Sequence, residues 1–419
     1  GKTFLSAFDV QASGAQKILF VVHRANITQK AMESFKRIFG DQKTMGLYSG
    51  KSREREADFL FSTVQTINRE EHLKQFSKDY FDYIIIDETH RAGAKTYQRI
   101  LDHFSPKFIL GMTATPERTD GYDIFTLFDH NIAYEIRLQK AMKEDLLCPF
   151  HYFGVTDIKV NGEVLDEASN FNHLVSEERV KRIDEKIKFY GTDDNTLRGL
   201  IFCSKVDECK AISEVLNKIG YKTRALSGDD SEKERAKAIN DLESDDPDKK
   251  LDYIITVNIF NEGIDIPRLN QVIMVRPTQS AIIFVQQLGR GLRKAERKEY
   301  LTVIDFIGNY QNNYLIPIAL YGDTSYNKDT IRKLMASGSS LIPGSSTINF
   351  DKISKDIIFK SIDSSNLTLK KDLIQDYQLL KFKIGRIPCM VDFLDYGSRD
   401  PSLYVKYSKS YYNFVADQE

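Results

Sequence analysis

The sequence of 419 residues has few cysteines, and this limits the kinds of site that it can contain. None of the four forms a Cys-x-x-Cys pair; they are Cys148, Cys203, Cys209 and Cys389. A disulfide framework or a zinc site needs paired or clustered cysteines. We therefore expect reduced thiols, with neither a structural disulfide nor bound zinc.

The sequence also lacks a long apolar run and a secretory signal. No apolar stretch approaches the ~18 residues of a transmembrane helix, and no signal peptide is recognisable. We expect a cytoplasmic protein without a membrane span. The chain begins inside a motif rather than with methionine, and we expect it to be a fragment of a longer protein.

Neither sign of charge predominates in the sequence. The 59 lysines and arginines against 60 aspartates and glutamates give a formal net charge of −1. A neutral total argues weakly against a nucleic-acid partner, because a local groove can be basic while the whole chain is neutral. The length predicts more than one domain.

The most informative stretch is an apolar run that ends in two acids. Aromatic and branched residues from Phe81 to Ile86 predict a buried parallel strand, and Asp87 and Glu88 follow it directly. Ligands of α/β proteins bind at the carboxyl ends of such strands. There Asp87 could ligate Mg²⁺ and Glu88 could polarise a water molecule. A solvated strand end before a helix cap explains these residues equally well.

The first three residues, Gly1-Lys2-Thr3, match the end of the P-loop pattern G-x-x-x-x-G-K-[ST]. In that pattern the lysine reaches the terminal phosphates of a nucleotide and the threonine hydroxyl binds Mg²⁺. Three residues often match by chance. The match gains weight from Asp87 and Glu88, because a P-loop nucleoside triphosphatase needs both the P-loop and an acidic pair.

Strands alternate with helices in the first third of the chain. The apolar stretches 17–22, 59–66, 81–87 and 108–112 are each followed by a polar segment. This alternation predicts a doubly wound α/β domain with right-handed crossovers, so that all strands end at one edge of the sheet. The residues predicted at that edge are Lys2, Thr3, His23, Thr63, Asp87, Glu88, Thr113 and Thr115.

A second α/β series begins near Arg179, after a less regular region in which residues 132–136 suggest a strand. Late in this series a helix predicted over 280–288 is followed by Gly289, Arg290 and Arg293. Arginines from a second domain can stabilise charge on a transferred phosphate. The alternative is a pair of surface arginines after a helix.

Taken in order, these motifs resemble those of superfamily 2 DEAD/DEAH-type helicases and translocases. The matches run from Gly1 to Arg293: Gly1–Thr3 (motif I), Val22–Arg24 (Ia), Ser62–Thr66 (Ib), Asp87–His90 (II), Thr113–Thr115 (III), Phe202–Ser204 (IV), Asn261–Pro267 (V) and Gln286–Arg293 (VI). The phrases Phe260–Pro267, Arg276–Ser280 and Val303–Tyr310 are typical of restriction-type helicases. The chain is similar to bacterial proteins in which a phospholipase-D-like nuclease precedes the helicase and a domain of unknown function follows, although these 419 residues contain no nuclease motif.

The resemblance implies an α/β fold with two tandem RecA-like doubly wound parallel-sheet domains and a small, mainly α or α+β, C-terminal domain. We expect the domain limits 1–138 for the first RecA-like domain, 139–180 for an inter-domain crossing, 181–322 for the second RecA-like domain and 323–419 for the accessory domain.

The resemblance also implies a role for each motif residue. ATP would be bound by Gly1, Lys2, Thr3, Gly263 and Asp265. Mg²⁺ would be held by Thr3 and Asp87. The catalytic residues would be Glu88, Gln286, Arg290 and Arg293. Hydrolysis would be coupled to motion by His90, Thr113 and Thr115. A nucleic-acid backbone would be contacted by His23, Arg24, Thr63, Gln65, Ser204 and Thr256.

The sequence therefore predicts an ATP- and Mg²⁺-dependent DNA helicase or translocase, as part of a bacterial restriction, DNA-defence or repair enzyme. Two alternatives stay open. One is an RNA helicase, which the motifs alone do not exclude. The other is a nucleic-acid clamp without turnover, since motif I is incomplete as given.

Overall fold

The computed structural model describes residues 2–89, 95–113, 123–160, 162–166, 169, 171–257, 266–277 and 280–419. The chain forms two compact units. The first comprises Gly1–Tyr134, Lys370–Tyr396 and Tyr411–Glu419, and the second comprises Glu135–Leu369 and Gly397–Ser410. Each unit contains one parallel sheet with helices, which confirms the predicted fold class.

The first unit contains a five-stranded sheet. Its strands are β1 Ile18–Val22, β2 Met45–Tyr48, β3 Phe59–Thr63, β4 Tyr83–Asp87 and β5 Phe108–Met112. They lie in the order β2-β3-β1-β4-β5, and every pair is parallel. The three central strands are buried along their whole length, as expected when helices cover both faces of a parallel sheet. Their carboxyl ends consequently share one edge.

The described residues of this part of the chain form five α-helices beside the sheet: α1 Lys2–Ser13, α2 Ala25–Phe39, α3 Val64–Ile67, α4 Glu70–Leu73 and α5 Lys95–His103. Helix α2 packs through Phe35, whose ring meets Phe20 and Phe61 edge-on at centroid distances of 5.7 and 5.3 Å. Gly40 ends the helix with a φ of 55° and donates its amide to the Lys36 carbonyl, an arrangement that glycine adopts at low cost.

The second unit contains a seven-stranded parallel sheet and a small antiparallel hairpin. The strands are β6 Phe150–Thr156, β7 Lys159–Val160, β8 Glu163–Val164, β9 Gly199–Phe202, β10 Thr223–Leu226, β11 Tyr253–Thr256, β12 Gln271–Met274, β13 Leu301–Ile307 and β14 Thr347–Phe350. The large sheet has the order β10-β11-β9-β12-β13-β6-β14, and β7 pairs with β8.

Nine helices of the second unit follow one another before residue 365: α6 Leu138–Lys143, α7 Phe171–Leu174, α8 Glu177–Tyr190, α9 Val206–Lys218, α10 Glu232–Glu243, α11 Ala281–Leu288, α12 Leu315–Tyr321, α13 Lys328–Ser337 and α14 Lys352–Ser364, as counted over the described residues. Helix α10 begins with a capping box. The Ser231 hydroxyl accepts from the Glu234 amide at 3.3 Å, and the Glu234 carboxylate accepts from the Ser231 amide at 2.9 Å.

Four helices complete the chain: α15 Lys370–Ile384, α16 Met390–Asp395, α17 Ser402–Ser408 and α18 Tyr411–Ala416. All but α17 belong to the first unit. His130 donates a hydrogen bond to the Phe382 carbonyl, and the Tyr377 hydroxyl donates to the Glu419 carboxylate at 2.7 Å. The C-terminal segment thus adds helices to the first unit.

Two features of the fold differ from expectation. The strand predicted over 132–136 is wrong, because these residues form neither a strand nor a helix and most are exposed. Strands β6 and β14 lie outside the 181–322 range predicted for the second domain, yet both belong to its sheet. The four predicted domain ranges otherwise stay predictions.

Candidate functional site

The acidic pair lies at the carboxyl edge of the first sheet. Asp87 is the last residue of β4 and is 9% exposed. Glu88 follows with a φ of 54°, in the left-handed region that non-glycine residues seldom adopt. Its amide donates to the Asp87 carboxylate at 3.1 Å. Backbone strain of this kind is concentrated at functional sites.

The Thr89 side chain stabilises the turn that carries Asp87 and Glu88. Its buried hydroxyl lies 2.9 Å from the Ile86 carbonyl and 3.1 Å from the Met112 carbonyl at the end of β5. The hydroxyl thus links the ends of two adjacent strands. The sequence analysis assigned no role to Thr89, because nothing local indicates a contact with β5.

Lys2 brings the remnant of the P-loop motif to the acidic pair. Its ammonium lies 2.7 Å from a Glu88 carboxylate oxygen and 3.5 Å from an Asp87 oxygen. Burial raises the pKa of Asp87, the Lys2 ammonium opposes that shift and the Glu88 charge reinforces it. The structure therefore confirms that residues 86 positions apart in the sequence meet at this edge.

The donor set at this edge fits a magnesium ion shared with phosphates. Within the part of the chain that the structure describes, no cluster of three or more His, Cys, Asp or Glu side chains could enclose a metal. Mg²⁺ commonly uses one or two protein ligands and completes its shell with phosphate oxygens and water. Asp87, at the end of β4, could supply a carboxylate, and Thr3, in the first turn of α1, could supply a hydroxyl. The amino end of such a helix favours anions.

Two of the predicted nucleic-acid contacts also meet at this edge. The His23 Nδ1 atom lies 3.2 Å from the Gln65 side-chain amide. Arg24, next to His23, is exposed at the start of α2. Thr63 is only 5% exposed, and its hydroxyl is 2.9 Å from that of Thr66. Its role as a nucleic-acid contact stays a prediction.

Of the remaining predicted residues of the first unit, the structure describes Thr113 but not the other three. Thr113 directly follows β5 and is partly buried. Gly1, His90 and Thr115 lie outside the described residues. The predicted coupling roles of this group therefore stay predictions.

In the second unit, Ser204 lies on an exposed turn. A buried network of charged residues stabilises the backbone of this turn. The Ser204 amide donates to Glu208 at 2.8 Å. Glu208 also accepts from Arg179 at 2.8 Å, and Arg179 donates to Asp157 at 2.7 Å. Arg179 and Glu208 are fully buried. Breaking such a pair leaves an uncompensated buried charge, which costs roughly 3–5 kcal/mol.

This network was not predictable from the sequence, because its three charged residues are far apart along the chain. Thr256, predicted to contact nucleic acid, is fully buried at the end of β11. Its hydroxyl has no hydrogen-bond partner among the described residues.

The arginines lie where the sequence analysis expected them, directly after α11. Gln286 is partly buried on that helix, Arg290 is partly buried in the turn beyond it, and Arg293 is exposed. Gly263 and Asp265, predicted to bind ATP, lie outside the described residues. Gly291 was missed: a Cβ atom there would come within 2.4 Å of a Leu301 methyl group, so a larger residue would have to displace the Leu301 side chain on β13.

Three family models match the chain. The first describes the res subunit of type III restriction enzymes and matches residues 1–118. The second describes the helicase conserved C-terminal domain and matches residues 178–295. A domain of unknown function matches residues 373–419.

Among solved structures, the type ISP restriction-modification enzyme LlaBIII bound to DNA aligns with 94% of this chain and 34% of its own, at a TM-score of 0.59 and 17% identity. The chain has a fold of two tandem RecA-like parallel-sheet domains. The first two family models fall on parallel-sheet segments of that fold.

The curated relatives include a putative helicase and a subunit of a restriction enzyme. The "Putative ATP-dependent helicase IRC3" of Saccharomyces cerevisiae is 25% identical over 354 residues, which cover 79% of this chain and 50% of the relative. The type I restriction enzyme EcoAI endonuclease subunit of Escherichia coli is 26% identical over 350 residues, which cover 73% and 42%. The chain spans about half the length of these relatives or less. No described helix is long and apolar enough to cross a membrane.

Proposed function

We propose that this chain is the motor of an ATP- and Mg²⁺-dependent DNA helicase or translocase, belonging to a bacterial restriction, DNA-defence or repair enzyme of the cytoplasm. The observation that carries the proposal is the meeting of Lys2 with Asp87 and Glu88 at the end of β4. A P-loop lysine beside a strand-end acidic pair is the arrangement that nucleotide hydrolysis requires.

The proposed chemistry uses residues of the first unit to bind and orient. Lys2 would exchange its bond with Glu88 for the terminal phosphates of ATP, which leaves the Glu88 carboxylate available to orient a water molecule. Thr3 and Asp87 would hold Mg²⁺, which neutralises phosphate charge when bound. Arg290 and Arg293 would add positive charge at the γ-phosphate, and Gln286 would approach the same group.

DNA is favoured as the partner by the restriction enzymes among the similar proteins. Exposed residues at the strand ends, such as Arg24 and Ser204, suit contacts to a phosphodiester backbone. Such contacts confer little sequence preference. An upstream nuclease domain in the longer protein stays part of the proposal.

The test is ATP hydrolysis by the intact protein, measured with single-stranded DNA, duplex DNA and RNA as stimulators. We expect DNA to stimulate turnover more than RNA does. Stronger stimulation by RNA would indicate the RNA-helicase alternative. ATP-independent DNA binding without turnover in any condition would indicate the clamp.

A further inference from the structure

The segment Gly289–Arg293, called here the arginine loop, has an irregular backbone. It follows α11 and contains no regular helix or strand of its own. Carbonyl groups in such a segment are not paired within secondary structure, and buried ones need another donor. The position of Arg290 and Arg293 therefore depends on what fixes this backbone.

Lys298 supplies the donor. Its ammonium lies 2.5 Å from the Gly291 carbonyl oxygen, 3.1 Å from that of Arg293 and 3.3 Å from that of Pro267. A lysine ammonium carries three protons and no acceptor. One nitrogen therefore binds both ends of the Gly291–Arg293 turn, together with Pro267, the last residue of the predicted motif V.

Two further contacts restrain the same turn. The Leu292 carbonyl accepts from the Cys148 amide at 2.8 Å, so three consecutive carbonyls of the arginine loop are bound. Gly291 also packs closely on Leu301 at the start of β13. The arginine loop thus packs against β13 and accepts hydrogen bonds from Lys298.

We propose that Lys298 is the positioning residue of the arginine loop: its ammonium ties the backbone of Gly291 and Arg293 to Pro267 and so sets where Arg290 and Arg293 point. The proposal rests on the proposed function, because it assumes that these arginines serve ATP hydrolysis. Lys298 touches neither nucleotide nor nucleic acid in this account. Its removal should lower turnover while leaving substrate binding largely intact.

The surroundings of Lys298 make its charge sensitive to pH. Burial lowers the pKa of Lys298 to about 8, and the ionisable groups facing it, Cys148, Asp193 and Glu243, oppose that shift. The neutral amine has one proton fewer and cannot donate to three carbonyls. The loop should therefore loosen as the pH rises through this range.

The experiment compares Lys298→Met and Lys298→Arg with the intact wild-type protein, with Lys294→Met as a matched control. Lys294 directly follows the arginine loop and is half-exposed. Among the described residues its ion pair is with the exposed Asp145, at 2.8 Å. We expect Lys298→Met to lower kcat about tenfold or more, while KM for ATP and the Kd for single-stranded DNA without nucleotide change less than about threefold. Lys294→Met should behave as wild type.

A pH profile of kcat separates positioning from general stability. The wild type should lose turnover above about pH 8, whereas Lys298→Arg should be slower than wild type but lack that inflection, because its guanidinium stays charged. A wild-type kcat in Lys298→Met, or an inflection that persists in Lys298→Arg, would overturn the proposal. If Lys298→Met does not fold, as judged by thermal unfolding, the arginine variant and the profile decide. An inactive wild type would instead contradict the proposed function.

Discussion

At the residue scale, the position of Glu88 is restrained by its backbone and by its neighbours. Its φ of 54° lies in the left-handed region, and its carboxylate pairs with the Lys2 ammonium at 2.7 Å. The Thr89 hydroxyl, close to the Ile86 and Met112 carbonyls, stabilises the turn that carries it. These contacts hold the Glu88 carboxylate at the end of β4.

Asp305 offers a test of stability at the residue scale. It is 2% exposed on β13 and accepts a hydrogen bond from the Tyr152 hydroxyl at 2.6 Å. Burial raises its pKa from 3.8 to about 7. The folded protein therefore binds a proton between those values that the unfolded chain releases, and stability falls as the pH rises, by at most about 1.4 kcal/mol per pH unit.

We expect Asp305→Asn to be more stable than the wild type at pH 8 and to lose the pH dependence between about 4 and 7. The amide oxygen still accepts from Tyr152 and carries no charge. Thermal unfolding from pH 4 to pH 8 measures the difference, with the surface variant Asp248→Asn as the control. Parallel curves for wild type and Asp305→Asn would contradict the assigned protonation.

At the scale of elements, the arginine loop of the second unit contains the two arginines that we propose act on the γ-phosphate. Arginine makes bidentate, charge-assisted bonds to phosphate that lysine does not reproduce. We therefore predict that Arg293→Lys in the intact protein reduces ATP turnover by roughly 10³-fold, while DNA binding without nucleotide changes less than about threefold. Arg297→Lys, an exposed arginine four residues further on, is the control.

If Arg293→Lys kept its ATPase activity and weakened DNA binding, the arginine loop would belong to a nucleic-acid groove. Steady-state ATPase assays and a DNA titration at fixed salt distinguish these results, because phosphate contacts depend strongly on ionic strength.

Strands with strong local patterns were predictable from the sequence, whereas strands defined by distant partners were not. β4 and β13 are mostly apolar, and the acids at the end of β4 were predictable from the same local pattern. The left-handed backbone of Glu88 was not, because it depends on how the Thr89 hydroxyl stabilises the turn. β6 contains a glycine and a histidine within a region of mixed character, and it becomes a strand through its pairing with β13 and β14. Gly154 has no room for a Cβ atom beside Phe350, a contact that only the folded sheet reveals.

At the scale of the whole molecule, the first boundary between the two units along the chain falls at Tyr134 and Glu135. The sequence placed a crossing over 139–180, but the buried Arg179–Asp157 pair restrains that segment. Residues 131–137 are mostly exposed and lack helix or strand. We predict that limited trypsin digestion cuts first after Arg137, because proteases need an exposed and locally unfolded backbone.

The matched variant Arg137→Gln removes that cleavage site and should delay the first cut. Mass spectrometry of the earliest fragments identifies the position. A first cut after Lys159 or Arg182 would contradict the restraint attributed to the Arg179–Asp157 pair.

The most direct test of the whole account is ATP hydrolysis by the intact Glu88→Gln protein in the presence of single-stranded DNA. We predict that turnover falls by roughly 10²-fold or more, because the amide keeps the size of the side chain but cannot act as a base, while ATP binding persists. The exposed Glu71→Gln serves as the control. Wild-type turnover in Glu88→Gln would contradict the assignment of the catalytic residue, and with it the proposed motor chemistry at the end of β4.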